Sequence, residues 1–191
     1  MNKNFISDKE FVGHDFTSEP LKIADFENCQ FIRCNFASVD LSERRFEDCR
    51  FEQCDLSNAT ITQTAFQDVS FDSCKLIGIQ FDTCNSFLLA FQFKQCILNY
   101  ASFYQLKIPG TRFMNCTIEE ADFTNAILNS STFDECNLNG SMFENTQLEK
   151  ADLYSSNHFI IDPERNNIWG ARFSMENLEG LLIKYNIVVE R

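Results

Sequence analysis

The sequence predicts an all-β solenoid: a coil of about twenty residues per turn, square in cross-section, closed at the C-terminal end by an α-helix. Three observations carry this reading. Large apolar residues recur every fifth position. A small residue usually stands two positions before each of them. Cysteines and phenylalanines also repeat at a spacing of twenty.

The beat of five starts at Phe11 and runs through Phe16, Leu21, Phe26 and Phe31 to Phe81, fifteen positions that are all Phe, Leu or Ile. It slips by two residues, resumes at Leu88, and continues through Phe93, Leu98 and Phe103 to Leu153. A period of five fits neither a helix at about 3.6 nor a strand at 2. It requires a chain that turns a corner every five residues with one large side chain inward per edge. The residue two before, such as Ala24, Cys29, Cys34, Ala101 or Ala121, is the second inward position. One large and one small side chain per edge fill a narrow tube. Cys34, Cys54 and Cys74 are spaced by twenty, as are Cys96, Cys116 and Cys136, so four edges close one coil. From Leu88 to Leu148, Phe alternates with Leu or Ile, which places Phe on two opposite walls.

Taken in order, residues 1–10 read as a lead-in or cap, since a solenoid end exposes unpaired backbone. Residues 11–156 are the repeat region, and the solenoid amounts to about seven coils. Glu19 and Arg44 fall where Ala or Cys is expected, and each is read as a local bulge turned outward. The register breaks at residues 85–91, Asn85-Ser86-Phe87-Leu88-Leu89-Ala90-Phe91, where two residues are added. The apolar insert is read as tucked in; the alternative is a contact patch at Phe87 and Leu89. Residues 157–173 read as an inserted loop and a last coil, because His158 and Pro163 fall on the beat. Phe159, Ile160 and Ile161 then plug the open end. Residues 174–191 form the tail. Ser174 suits an N-cap, and Leu178, Leu181, Leu182 and Tyr185 make an amphipathic stripe. Ile187-Val188-Val189 reads as a strand. A helix followed by a strand is more than an end-cap needs, which favours a dimer seam through Leu178, Leu181, Leu182, Tyr185, Ile187 and Val189.

The chain has 191 residues, a net charge of −12, 21 Phe and nine Cys. No basic patch is evident, so direct nucleic-acid binding is not expected. The cysteines sit on the inward beat and are read as core thiols, not disulfides or metal ligands. His14, on an inward beat, and His158 lack nucleophilic partners, and the six glycines make no phosphate loop. No enzyme activity and no cofactor are expected. The N-terminal ten residues lack the apolar stretch of a signal peptide, and no segment reaches membrane-spanning length. The expectation is a cytoplasmic protein without a membrane partner.

The acidic residues are ordered. Glu27 and Glu47 form one twenty-residue column, with Asp48 and Asp68 beside it; Glu52 and Asp72 stack on the next wall. Glu119, Glu120, Asp122, Asp134 and Glu135 continue the charge into the second half. About one net charge per 3 Å of rod compares with one per roughly 1.7 Å in duplex DNA. Such a surface steers toward a basic groove.

Ala24-Asp25-Phe26-Glu27-Asn28, Cys54-Asp55-Leu56-Ser57-Asn58 and Ala121-Asp122-Phe123-Thr124-Asn125 resemble the pentapeptide-repeat family. That resemblance implies a right-handed quadrilateral β-helix. The segment Ile161-Asp162-Pro163-Glu164-Arg165-Asn166-Asn167, with the tail Leu178 to Val189, resembles the C-terminal end of quinolone-resistance (Qnr-type), MfpA-type and microcin-immunity members. This implies a head-to-head homodimer through the tail and a protein partner, DNA gyrase or topoisomerase IV. The function expected is a DNA-mimicking rod that confers resistance to quinolones or other topoisomerase poisons. The alternative is a structural or regulatory interaction module with an unrelated partner.

Overall fold

The computed structural model describes residues 4–188. The chain winds as a right-handed quadrilateral β-helix whose coils stack in parallel at a register of twenty. The first face holds a four-stranded sheet, Asn4–Ser7, Ala24–Glu27, Arg45–Glu47 and Ala65–Gln67. The second face is one nine-stranded sheet from Glu10–Val12 to Arg172–Phe173. The third is a file of single bridges, Asp15 to Asn35 to Asp55 to Lys75, then Ile97, Thr117, Asn137 and Asn157. The fourth runs Asp40 to Thr60, and Gln80 to Ser102, Asp122 and Met142. Nine stacked strands make eight turns where the sequence suggests about seven. The difference lies at the ends: Asn4–Ser7 already pairs with Ala24–Glu27, so the expected lead-in is part of the first coil.

The corner explains the period. The residue two after most inward ones has a left-handed backbone: Asn28, Arg33, Ser38, Glu43 and Asp48 have φ of 49–59°. A left-handed residue turns the chain, and its N–H bonds the next coil, as Asn28 N–H does to Glu47 O at 3.0 Å. The residue before the inward one is often Asp or Asn because its Oδ1 accepts the N–H two residues on. Asp40 takes Ser42 N–H at 2.9 Å and Asp122 takes Thr124 N–H at 2.8 Å.

Inside, rings stack along the axis. Phe11, Phe31, Phe51, Phe71, Phe93, Phe113 and Phe133 form one column with centroid spacings of 4.7–5.4 Å. Phe81, Phe103, Phe123 and Phe143 form another on the opposite wall. These are offset contacts favoured by aromatic pairs, added to burial of about 1.5–3 kcal/mol per large side chain.

The small inward position has its own chemistry. Its polar side chains donate to the carbonyl 23 residues back. Thr64 Oγ1 bonds Leu41 O at 2.8 Å, Thr146 bonds Phe123 O at 2.9 Å and Ser156 bonds Phe133 O at 2.7 Å. The thiols do the same, Cys54 to Phe31 O at 3.2 Å and Cys136 to Phe113 O at 3.4 Å. All nine cysteines are free and buried, and burial pushes the Cys49 thiol up to about 12. Arg44 occupies this same position and is buried, 7% exposed. It does not bulge outward: its guanidinium donates to Leu21 O at 2.6 Å, again 23 residues back. Glu19 is exposed. His14 is exposed too, although it falls on an inward beat: its ring lies 5.5 Å from Phe16 at the open end of the first coil.

Three further expectations need correction. Leu88 is not inward: it sits at a left-handed corner with φ 53° and is 66% exposed. Asn85 keeps the old register with Ala65, while Phe91 pairs with Val69, so the added residues are Leu89 and Ala90. Ser86 stands where a large side chain would point inward, and it is exposed; buried Phe91 fills the tube instead, 5.1 Å from both Phe81 and Phe93. Residues 157–173 contain no inserted loop. Asn137 pairs with Asn157, Gln147 with Asn167 and Asp152 with Arg172, each twenty apart, so no residues are added, although Phe159 rather than the exposed His158 is buried between them. Phe159 and Ile161 are buried as expected of a plug, whereas Ile160 is exposed.

The tail helix is present but winds as 3-10 turns, Met175–Leu181 and Ile183–Tyr185, not as an α-helix. The tail docks on the last coil. Ile161 N–H bonds Gly180 O at 3.0 Å, and Asn177 Nδ2 bonds Ser156 O at 2.8 Å. Gly180 lies against Phe159 so closely that a Cβ there would collide with its carbonyl oxygen and ring. Ile187 and Val188 form no strand, and Val189 lies outside the described residues. No helix among the described residues is long and apolar enough to cross a membrane.

Candidate interaction surfaces

The outward positions carry the charge, and the register decides which charges meet. Glu27, Glu47 and Gln67 lie side by side on the first face, and Glu52 faces Asp72 on the second. The same two faces hold the cations that offset these acids. Arg45 pairs with Glu47. Arg50 lies 3.1 Å from Glu52 and 3.3 Å from Asp72, and Lys94 lies 3.2 Å from Asp72. Burial works against ionisation of Asp72, but Lys94, Ser73 and Arg50 hold its carboxyl below the usual range. Asp48 and Asp68 stand at the adjoining corner with φ near 50°, and Asp134 and Glu135 continue along the second face.

The third and fourth faces differ. By five-residue edges they carry twelve carboxylates against Lys22, Lys75 and Arg165, and Lys184 of the tail pairs with two of the twelve, Asp162 and Glu164. The first and second faces carry thirteen against ten cations. The electrostatic field therefore comes mainly from the third and fourth faces, which the column pattern in the sequence does not reveal. Glu119, Glu120 and Asp122 meet at the corner between them. Glu119 is fixed by Asn99 Nδ2 at 3.1 Å and Asn137 Nδ2 at 2.7 Å. These neutral donors order the carboxylate without cancelling its charge. His158 Nδ1 lies 3.0 Å from Asn137 Oδ1 at the end of this chain of contacts.

The tail presents a second surface. Leu178, Leu181 and Leu182 are half-buried, and Leu181 packs against the core of its own solenoid. Ile183, Tyr185, Ile187 and Val188 are exposed and apolar, beside exposed Met175. The last turn is clamped by charge: Lys184 Nζ lies 2.6 Å from Asp162 and 2.7 Å from Glu164, and Tyr185 Oη donates to Glu164 at 2.8 Å.

A third surface is the register break. Phe87 is 69% exposed and Leu89 half-buried, so the insert is not tucked in as a unit. Phe87 and Leu88 rise beside a groove of about 460 Å³ that also touches Arg44, Arg45 and Gln67.

A sequence model described as "Pentapeptide repeat region" matches residues 24–92 and 87–157. No curated protein matches the sequence significantly. Among solved structures, the chain is similar to a trypsin-treated variant of QnrB1, a plasmid-mediated fluoroquinolone resistance protein. The two are 21% identical over 100% of this chain and 94% of that one, with a TM-score of 0.62. Full-length QnrB1 is 16% identical over 96% of this chain and 100% of that one, with a TM-score of 0.64. At these identities the likeness establishes the fold.

Proposed function

The chain belongs to the pentapeptide-repeat family, and we propose that it is a non-enzymatic cytoplasmic rod that occupies the DNA-binding groove of a type II topoisomerase. The partner is DNA gyrase or topoisomerase IV, and the result is resistance to quinolones or related poisons. The observation that carries the reading is the one-sided charge: two adjoining faces of the rod with twelve carboxylates and three cations. Eight steps at about 4.8 Å give a length of roughly 38 Å. A basic groove built for duplex DNA attracts such a surface, and the attraction weakens with salt. The exposed residues Ile183, Tyr185, Ile187 and Val188 are the seam for a second copy, which doubles the length of the rod.

The test is a supercoiling assay with gyrase, with and without a fluoroquinolone, titrated with this protein. Protection or inhibition at micromolar protein, lost as salt rises, is expected. No effect on gyrase or topoisomerase IV rejects the reading.

A further inference from the structure

The register break opens the backbone ladder of the first face. From Leu106 onward each coil on this face bonds the next through three rungs. Ile108 N–H bonds Ile127 O, Gly110 N–H bonds Asn129 O and Ile127 N–H bonds Leu106 O, and the next two coil pairs repeat the set. Among the described residues, no backbone hydrogen bond joins residues 84–90 to residues 106–110. The positions equivalent to those rungs are Ser86 N–H to Lys107 O, Leu88 N–H to Pro109 O, and Lys107 N–H to Cys84 O. The chain has a sheet edge in the middle of a face, not only at its ends.

Three features surround this gap. A groove of about 230 Å³ runs along it, lined by Asp68, Ser70, Leu89, Ala90, Gln92 and Ile108 to Thr111. The exposed apolar knob Phe87–Leu88 belongs to the open coil itself and lines the neighbouring groove with Arg45 and Gln67. Lys107 and Arg112 bracket the facing edge, both exposed, and neither has a carboxylate within ion-pair distance among the described residues. On a chain of net charge −12, two uncompensated cations beside unpaired backbone define a complementary ligand.

We propose that this gap is a docking site for an extended peptide strand of a partner protein, with apolar and acidic side chains in alternation. Its backbone completes the missing rungs, its apolar side chains cover Phe87 and Leu88, and its carboxylates meet Lys107 and Arg112. Strand addition of this kind takes affinity from main-chain bonds and specificity from alternate side chains. It does not depend on the topoisomerase reading, since it uses the faces with balanced charge.

The experiment is fluorescence anisotropy of the full chain with a labelled nine-residue peptide of alternating valine and aspartate. A valine–lysine peptide and a backbone N-methylated valine–aspartate peptide are the controls. Saturable binding of the valine–aspartate peptide alone is expected. It should weaken at least tenfold with Lys107→Glu/Arg112→Glu and likewise with Phe87→Ser/Leu88→Asn. Asn is chosen because it tolerates the left-handed corner. All four side chains are exposed, so both variants should fold, which circular dichroism checks. Absence of saturable binding overturns the proposal. So does equal binding of either control peptide, or unchanged binding by either variant.

Discussion

Arg44 and Leu21 are joined across one coil: the guanidinium donates to the Leu21 carbonyl at 2.6 Å, from a position where other coils place Ala, Cys or Thr. The Arg44 Nε has no hydrogen-bond partner. Burial also pulls the pKa of Arg44 down, against the Asp40 charge. Arg44→Thr should restore the short donor that Thr64 provides one coil on, and remove an unsatisfied group. We expect stability within about 1 kcal/mol of the parent or above it, by urea denaturation. Arg44→Ala should lose about 1–2 kcal/mol by stranding the carbonyl. A large loss with Thr would show that the charge itself holds the coil.

Gly180 is the contact that seats the tail. Gly180→Ala places a methyl group into Phe159, and relief requires the 3-10 turn to lift. The expected cost is about 1–3 kcal/mol. Limited proteolysis should then cut the tail while leaving the coils intact.

The tail clamp should respond to acid. Lys184 holds Asp162 and Glu164 below their usual pKa through hydrogen bonds, with Tyr185 also bonding Glu164. A lowered carboxyl contributes stability above its unfolded value of about 3.9–4.3, and the contribution fades as pH falls through the folded value. Desolvation opposes the charge on Lys184, but the same two partners outweigh it and raise the Lys184 pKa. Its share therefore persists up to about pH 10 and fades above that. Hydrogen exchange of the tail should be flat between about pH 5 and 10 once corrected for intrinsic rates, and accelerate below. Lys184→Gln should shrink the acid step, leaving the part due to Tyr185 and the Glu164 N–H.

The two pairs of faces should separate in function. Glu119→Gln/Glu120→Gln/Asp122→Asn removes charge from the faces with few cations. Glu47→Gln/Glu52→Gln/Asp72→Asn removes charge that Arg45, Arg50 and Lys94 already offset. The first triple should weaken the proposed topoisomerase inhibition about tenfold or more and the second far less. Equal effects would remove the basis for assigning the faces.

The thiols should be silent. All nine are buried, so a thiol reagent should find about none in the native protein and nine on unfolding. Early reaction at one site would mark a coil that opens first.

Much of this was legible because the fold writes its period into the sequence. The beat from Phe11 to Phe81, the alternation from Phe93 to Phe143, and the inward cysteines all stem from one repeating edge. The failures have a common cause: the pattern reports spacing, not direction. Arg44 reads as an outward bulge because nothing in its identity reveals the carbonyl of Leu21. Leu88 falls on the beat by coincidence, while Ser86 holds the place and Phe91 does the filling. His158 and Pro163 look like added length, yet Asn157 and Asn167 keep the count of twenty; only the filling changes, with Phe159 buried in place of His158. The face that carries most of the field was also not readable. Columns of acids stand out in sequence, but their pairing with arginines needs the neighbouring coil.

The twenty-residue register gives the molecule a quantum of length. A duplication or loss of twenty residues lengthens or shortens the rod by one storey and leaves every side chain on its own wall. Any other change in length must be absorbed at a corner. Leu89 and Ala90 are such a remainder: they cost Ser86 its inward place and leave three rungs unmade. Within this architecture, novelty of shape enters by breaking the count, and here the break leaves the backbone of the first face open.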